Sequence, residues 1–390
     1  MTVGAVDQRI KLREGSVELA RYRMVNALVL VLIIGLTLSS FGPFALGVIT
    51  RGIGMGIAVM GVNLAAGHTG QPAFGHGAFM GVGAYAAAFA FSDLGLPLAG
   101  ALAVSFLAPM LPGAIIGLAA SRIKGVYLSI VTLSMAAGFP SLVKAAQPVT
   151  NGVGGFRIEN IGSAPGWTGL DRDAHWVFLL TSVLAVLAAV AGRGILSSRV
   201  GRAMTALREG PAAAKVFGIS PPRMLAAVYA TSAGFAGLGG LIAALPLEFI
   251  APDDYRLFLS LQLFAAMVIG GIRSIPGSVL GGVVVATLPW VAFGLHLPIG
   301  SDLVVAAAVL MLSQVLRGGV AGAARRLEAR LVCYTPVVPE LIPFWAGSGP
   351  RRPDPVPMLG DLTGEIGDDS RWAADPGATV ERDPIHPAQP

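Results

Sequence analysis

Residues 67–85 read GHTGQPAFGHGAFMGVGAY, an apolar stretch that is interrupted by glycine, proline and histidine. In the hydrocarbon core of a bilayer, every peptide N–H and C=O group needs a partner inside the protein. An irregular backbone therefore survives at membrane depth only where it packs within protein or lines a water-filled cavity. The stretch predicts a broken or re-entrant membrane segment, and it favours a path for a solute beside that segment.

The composition around this stretch is that of a membrane protein. Of the 390 residues, 54% are hydrophobic and only 13% are charged, against about 25% charged in an ordinary soluble domain. The mean hydropathy is +0.72. The apolar runs have the length of helices, since crossing a core of roughly 30 Å takes about 20 helical residues. We therefore predict an all-α fold, a polytopic transmembrane helical bundle.

Ten apolar runs are interpreted as membrane spans. Two of them, 71–92 and 276–294, are rich in glycine, so either can be a re-entrant segment instead of a full crossing. The ten runs are 24–42, 44–66, 71–92, 97–120, 126–146, 175–192, 224–246, 257–272, 276–294 and 301–316.

The basic residues predict how this bundle sits in the membrane. With a cytoplasmic N-terminus and ten crossings, 18 of the 27 lysines and arginines fall inside, five fall outside and four lie in the distal tail. Lysine and arginine are enriched in the cytoplasmic loops of membrane proteins. We therefore predict that both termini are cytoplasmic.

The chain divides into a cytoplasmic N-terminal segment, 1–23, a transmembrane domain, 24–316, and a cytoplasmic tail, 317–390. The tail is basic at first, but from residue 351 it carries eight acidic residues against four arginines, together with many prolines. Such a composition cannot bury enough apolar surface to offset the entropy of ordering, which predicts disorder. The remaining chain is basic, and a basic cytoplasmic face suits anionic lipid headgroups better than nucleic acid.

The sequence lacks the residues that ion coupling, ATP binding, metal binding or catalysis would require. Asp93, Glu248 and Asp302 all lie at span ends and no acid lies near a span centre, which argues against proton or sodium coupling. None of the four lysines follows a glycine, so the Gly-Lys-Ser/Thr of a phosphate-binding loop is absent. With the single cysteine Cys333 and no metal-ligand or G-x-S-x-G spacing, we expect no metal, no cofactor and no enzymatic activity. Energy must then come from a partner.

The longest loop predicted to face the cytoplasm, 193–223, has the pattern of two short helices. The sequence predicts a helix over 199–209, a Gly-Pro break, and a helix over 211–217 that Gly218 ends in a left-handed conformation. The second helix is thin and rich in alanine, which suits a groove on a partner protein. The alternative is an interfacial helix whose basic residues sit on lipid headgroups, and periodicity does not choose between the two.

This loop and four other blocks resemble a known family. Glu209, Ala212, Ala213 and Gly218 form an E-x-x-A-A-x-x-x-x-G pattern that is similar to the EAA-type coupling loop of bacterial ABC importer permeases. The remaining blocks resemble, in their order, the LivM-like branch of the branched-chain amino acid permease family. They are the stretch 67–85, RIKGVYLSIVTLSMA at 122–136, TNGVGGF at 150–156 and SIPGSVLGG at 274–282.

The resemblance, which spans about 44–316, implies a permease subunit of an ABC importer in the bacterial inner (plasma) membrane. It implies two ABC ATPase subunits, a second permease subunit and a periplasmic or surface-tethered substrate-binding protein as partners. Glu209, Ala212, Ala213 and Gly218 would couple the permease to the ATPases. The solute implied is a branched-chain amino acid, although the same family fold serves urea, amides and aromatic acids. Pro72 and Pro211 depart from the family pattern.

The broken stretch supplies candidate residues for the substrate pathway. His76, between Gly75 and Gly77, can face the pathway and offer a hydrogen bond, or it can satisfy backbone groups that the break leaves free. Gly75 and Gly77, with Gly81 and Gly83, permit close backbone approach, for which helix packing is the simpler explanation. Asn63, in the preceding span, is a polar group in apolar surroundings that must find a partner, either across helices or in the substrate.

Hydroxyl side chains in the span 126–146 are further candidates. Tyr127 and Thr132 can line the pathway, although hydroxyls in membrane helices commonly bond to the carbonyl four residues earlier. The loop 150–156 has the Asn and Gly content of an exposed turn. It is either a footprint for a binding protein or a plain connector.

Three functions remain open on the sequence. The first is an ABC importer permease, the second a passive channel or facilitator, and the third a membrane enzyme or assembly factor. The third would need clusters of catalytic polar residues, which the sequence lacks. The first is favoured by the coupling loop and by the order of the resembling blocks.

Overall fold

A computed structural model describes residues 10–13, 34–123, 125–158, 173–294, 319, 322 and 332–335. All of them belong to the compact unit Met1–Thr335. Most of the first and all of the last predicted span lie outside the described residues. So do most of the N-terminal segment and the acidic tail.

The described chain is a bundle of helices. Residues 34–40 are helical, α1 continues through a π-helical turn over Asn63–His68, and short 3-10 turns occur at Gly152–Gly154, Leu245–Leu247 and Pro252–Tyr255. The helices are α1 (Pro43–Val62), α2 (His76–Ser92), α3 (Leu98–Leu107), α4 (Met110–Ala120), α5 (Val126–Ala145), α6 (Gln147–Thr150), α7 (Asp173–Ser197), α8 (Arg199–Glu209), α9 (Pro211–Val216), α10 (Pro221–Ala244), α11 (Leu257–Gly270) and α12 (Ile275–Gly294).

Four short strands form two pairs. β2 (Phe156–Arg157) is antiparallel to β3 (Phe249–Ile250), so that Phe156 lies opposite Ile250. β1 (Ile10–Arg13) is parallel to β4 (Val332–Thr335), which lies within the segment predicted as a cytoplasmic tail. The β1–β4 pair brings the two segments that flank the bundle side by side.

The prediction of an all-α polytopic bundle is confirmed. Within the described residues, five helical segments are long and apolar enough to cross a membrane, and α11 and most of α12 are shorter apolar helices. The predicted number of ten spans stays a prediction. The five long segments are Pro43–His68, Leu98–Ala120, Val126–Ala145, Ala174–Ser197 and Pro221–Leu247.

The core of the bundle is built on α1 and α10. About three quarters of their apolar windows are buried (72% and 78%), against 28–33% for the other three long segments. Glycines allow the two backbones to touch, since a Cβ atom on Gly54 would lie 2.7 Å from the peptide nitrogen of Ala243. Because lipid tails give no hydrophobic drive between helices, such close packing is a main source of attraction in a membrane bundle.

Glycine pairs with G-x-x-x-G spacing, for which helix packing is the expected role, lie at helix contacts. A Cβ on Gly52 or Gly56 would meet the backbone of α12 at Val283 and Val279, at 2.7 and 2.6 Å. The pair in α4 meets α10 in the same way, and Gly281 in α12 meets α11. The interpretation of these glycines as packing residues is therefore confirmed.

Candidate functional site

The stretch that opened the sequence analysis is broken in the structure as well. Helix α1 widens into the π-helical turn Asn63–His68, Gly70 has a positive φ of +70°, and helix resumes only at His76. Of the connecting residues, Thr69, Ala73 and Gly75 are buried, whereas Gly70 is exposed. We call residues 69–75 the broken segment. π-helical turns are rare and often occur at functional sites.

Three side chains from other helices hold the broken segment and the start of α2. Thr132 of α5 accepts a hydrogen bond from the Phe74 N–H at 3.2 Å, and Ser260 of α11 accepts one from the Gly77 N–H at 3.0 Å. The ring of Phe74 packs against Phe264, with 4.7 Å between ring centroids. The N–H groups of Phe74 and Gly77 thus find hydrogen-bond partners within the protein, as the low dielectric of the bilayer requires.

His76 is buried and belongs to a short hydrogen-bonded chain. Its Nε2 atom is 2.7 Å from Ser232 Oγ, and Ser232 Oγ donates to the Gly61 carbonyl at 2.6 Å. A serine hydroxyl has a single proton, so Nε2–H must be the donor to Ser232. This series of hydrogen bonds joins α2, α10 and α1, which supports a structural role for His76. Contact between His76 and a substrate stays a prediction.

Asn63 joins the end of α1 to the turn between α11 and α12. Its amide NH₂ lies 2.9 Å from Ser278 Oγ and 3.3 Å from the carbonyls of Gly271 and Ser274. Its carbonyl oxygen accepts from the Arg273 N–H at 2.6 Å, in a residue with φ of +69°. Asn63 is fully buried and its polar atoms are bonded across helices, which is the first of the two roles considered above.

The structure separates the two predicted hydroxyl residues of α5. Thr132 is buried, and besides its contact with Phe74 it donates to Leu128 four residues earlier, at 3.0 Å. Tyr127 is 75% exposed on the outer face of α5, away from the broken segment. The structure therefore brings Asn63, Gly75, His76, Gly77 and Thr132 together and leaves Tyr127 outside.

Serines that complete this site were missed by sequence reasoning. Ser232, Ser260 and Ser278 are buried in otherwise apolar helices and bind His76, Gly77 and Asn63. A polar residue within an apolar span was the available signal.

The predicted pair of short helices in the loop 193–223 is confirmed. Ser198 caps α8 by accepting from the Val200 N–H at 3.1 Å. After α9, Gly218 has φ of +77°, and the bonds from Gly218 N–H to Lys215 and from Ile219 N–H to Ala214 form a Schellman cap. Glu209 and Ala212 are exposed, Ala213 lies within α9, and Gly218 has open space around it.

Arg208 connects this loop to the broken segment. Near the end of α8, its Nη1 donates to the Gly67 carbonyl at 2.6 Å, and its stem lies against Gly70. The π-helical geometry leaves carbonyls near the end of α1 without their usual helical partners, so that an arginine can take one of them. Sequence reasoning assigned Arg208 only a basic charge.

The opposite end of the bundle is held by ion pairs and a strand pair. Lys144 at the end of α5 lies 2.9 Å from Asp253 Oδ1, and Arg256 lies 3.3 Å from the same atom. The hydrogen bond from Lys144, and then that from Arg256, lowers the pKa of the exposed Asp253 carboxyl. In the loop 150–156, Asn151 donates to the Gly155 carbonyl at 2.8 Å, and β2 follows directly. We call this end the Asp253 end, and the end that carries Arg208 the Arg208 end.

The family of the chain is decided by a comparison with known protein families. Residues 44–317 match the family described as branched-chain amino acid transport system / permease component. The chain belongs to this family.

Individual relatives of this permease agree with the family. It is 29% identical over 236 residues to the high-affinity branched-chain amino acid transport system permease protein LivM of Escherichia coli, a match that covers 55% of this chain and 56% of the relative. It is also 31% identical over 125 residues to LivH of Salmonella typhimurium, covering 32% and 39% of the two chains. The matched region thus spans little more than half of LivM and 39% of LivH. No solved structure matches it.

Two of the blocks that carried the sequence resemblance contact the broken segment of this permease or the end of α1 that precedes it. Thr132, from the block 122–136, binds Phe74, and the block 274–282 supplies Ser274 and Ser278 to Asn63. The block 150–156 lies at the Asp253 end, away from the others.

Proposed function

We propose that this chain is a membrane-spanning permease subunit of an ABC importer that moves branched-chain amino acids across the plasma membrane. Two partner ATPases hydrolyse ATP, a second permease subunit completes the path, and a binding protein delivers the solute. The relatives' names, which specify high-affinity branched-chain amino acid transport, support the choice of solute.

In this proposal the Arg208 end faces the cytoplasm. Basic residues dominate this end of the described chain, whereas acidic and basic residues are mixed at the Asp253 end, which supports this orientation. The pairing of Ile10–Arg13 with Val332–Thr335 supports two termini on the same side of the membrane. The basic residues at the Arg208 end are Arg122, Arg193, Arg199, Arg202, Arg208, Lys215, Arg223 and Arg273.

The observation that carries the proposal is the contact between Arg208 and the Gly67 carbonyl. Glu209, Ala212 and Gly218 are exposed in the same loop, where an ATPase would bind, and Ala213 lies within α9. ATP-driven closure of the ATPases would move α8 and α9 as a lever, and Arg208 would transmit that movement to the broken segment. Rocking of helices around a central site then opens the cavity outward and inward in turn.

Reconstitution of the whole transporter tests this function. Proteoliposomes that contain this chain, its permease partner and both ATPases, with binding protein present, are expected to accumulate radiolabelled leucine against its gradient only when ATP is supplied to the ATPase side. Liposomes with this chain alone are expected to show no leucine flux. Flux through the chain alone would instead identify a passive channel, and uptake of urea, amides or aromatic acids but not leucine would replace the proposed solute.

Replacing Arg208 with methionine is expected to lower ATP-dependent leucine uptake about tenfold while the ATPases stay bound. Methionine keeps most of the apolar stem against Gly70 but removes the charged donor, and a hydrogen bond to a charged group is worth about 1.5–3 kcal/mol. The ratio of leucine transported to ATP hydrolysed measures the effect.

Arg202→Met is the matched control, because Arg202 lies on the same helix and makes a long 3.4 Å bond to the Ser197 carbonyl within its own loop. Equal transport ratios for the two variants would show that the Arg208 contact does not carry coupling.

A further inference from the structure

The position of Arg51 is not explained by a role as an anchor to lipid headgroups. It lies within the long apolar segment Pro43–His68, is only half exposed, and makes no hydrogen bond or ion pair with any residue that the structure describes. A charged side chain within a membrane span is costly and commonly marks a functional site. On the sequence, Arg51 is one of the five basic residues predicted to lie in an outer loop or at the outer end of a span.

The guanidinium of Arg51 lines a narrow cleft at the Asp253 end. The cleft has a volume of about 20 Å³, and α1, α2, the end of α10 and the start of α11 form its walls. Asp254 and Tyr255 lie on the wall formed by the turn before α11. Met55, Met80 and Leu259 supply an apolar lining, and Leu247 and Phe249 lie at the exposed rim.

The polar groups of this cleft are held in place, but not all of their atoms make hydrogen bonds with described residues. The turn is fixed by Lys144 and Arg256 on Asp253, and by the Ala251 N–H, which donates to Asp254 Oδ2 at 3.2 Å. Asp254 Oδ1 makes no bond with a described residue.

Tyr255 is 5% exposed, and its hydroxyl makes no hydrogen bond with a described residue. Burial, and then the charge of Asp254, raises the pKa of Tyr255, whereas Arg51 opposes the shift. The hydroxyl therefore stays protonated and lies within electrostatic reach of both charged groups.

We propose that this cleft binds the free amino acid on its way through the permease, with Arg51 on the α-carboxylate and Asp254 on the α-ammonium group. The inference rests on the proposed function and names the permease residues that recognise the solute. A guanidinium suits a carboxylate because it donates two parallel hydrogen bonds. Two opposite charges in the lining of one cleft match a zwitterion, and Tyr255 offers a further hydrogen bond.

The apolar lining gives the cleft its selectivity for the side chain. Met55 and Met80 are flexible and fill irregular space, so that they can adapt to leucine, isoleucine or valine. At about 20 Å³ the void has room for no more than a water molecule, so the described conformation is closed. The wall formed by residues 245–256 moves outward when the amino acid enters.

Cysteine protection tests the site without the binding protein. In the assembled transporter in lipid nanodiscs, with Cys333→Ser, the variant Leu247→Cys places a thiol at the rim of the cleft, where the side chain is 51% exposed. Leu94→Cys is the matched control, since Leu94 is 61% exposed and does not line the cleft. The measured quantity is the concentration of solute that halves the rate of labelling by a small thiol reagent. Phe249→Cys at the same rim repeats the measurement if Leu247→Cys fails to assemble.

Leucine is expected to protect the thiol of the Leu247→Cys variant and to leave that of Leu94→Cys unaffected. Removing either charged group of the solute, in 4-methylpentanoate or 3-methylbutylamine, is expected to raise the half-protecting concentration about tenfold or more. In the Arg51→Gln background, the concentration of leucine that halves the labelling rate is expected to rise about tenfold. It is expected to rise by less in the Arg51→Lys background, because lysine keeps the charge but lacks the planar guanidinium.

Two results would overturn the site. One is an absence of leucine protection at both rim positions, and the other is equal protection by leucine and both analogues. Arg51 would then serve as a headgroup anchor. Leucine uptake by the wild-type transporter is measured in parallel. If only the proposed site is wrong, this uptake persists, whereas it is absent if the proposed function is wrong.

Discussion

Leucine in place of Gly83 is expected to prevent the bundle from folding. A Cβ atom on Gly83 would lie 2.6 Å from the carbonyl carbon and oxygen of Gly237, where α2 crosses α10. The obstacle is backbone on a buried helix, and it cannot turn away as a side chain can. Gly237 in turn lies against Pro109, so α10 has no free space behind it.

The expected cost exceeds that of ordinary overpacking, which is about 1–3 kcal/mol. The free energy of unfolding of a folded protein is about 5–15 kcal/mol, so separation of two central helices would remove most of it. Membrane abundance and a monodisperse peak in detergent size-exclusion chromatography measure the outcome. Gly194→Leu is the matched control, because Gly194 is also helical and has open space around it. Equal recovery of the two variants would contradict the described crossing of α2 and α10.

Local features of this chain were predictable from the sequence, because their causes lie within a few residues. The break before His76 follows from glycine and proline in an apolar run, and the end of α9 follows from Gly218. The span 97–120 is confirmed as the apolar segment Leu98–Ala120, within which a short turn at Pro109 separates α3 from α4. Proline within an apolar run was the signal for that interruption.

The partners of the buried polar groups were not predictable. Asn63 binds Ser278, 215 residues away, and His76 binds Ser232, 156 residues away, so that both pairs depend on how the helices pack. Tyr127 and Thr132 show why the orientation of α5 was not predictable. A helix that is apolar all round gives no periodic signal for the side that faces the core.

The cleft around Arg51 was missed for a related reason. Arg51 and Asp254 are separated by more than 200 residues in sequence, and each lies near a predicted span end, where a charge needs no special explanation. Only the packing of the helices places both residues in the lining of one cleft. Charged residues at span ends therefore require the three-dimensional arrangement before a role is assigned.

Serine at both Val216 and Phe217 is expected to detach the ATPases and abolish ATP-dependent leucine uptake, while the permease stays folded in the membrane. These side chains are 85% and 81% exposed at the end of α9, where they contribute almost nothing to the fold. Large apolar side chains exposed beside Ala212 and Gly218, the residues proposed to couple the permease to the ATPases, suit insertion into a groove on a partner. Fully burying a valine or phenylalanine is worth about 1.5–3 kcal/mol each, so the double change should weaken ATPase binding by about a thousandfold.

Co-purification of the ATPases with the tagged permease measures this effect, and leucine uptake by proteoliposomes follows it. Val153→Ser is the control, because Val153 is 76% exposed at the opposite end of the bundle and should leave ATPase binding unchanged. The competing interpretation of α9 as a helix lying on lipid headgroups makes the opposite prediction. In that case the double serine variant would keep its ATPases, and attachment of the loop to vesicles that contain anionic lipid would weaken instead. ATPase binding and lipid binding therefore distinguish the two roles that periodicity left open for this loop.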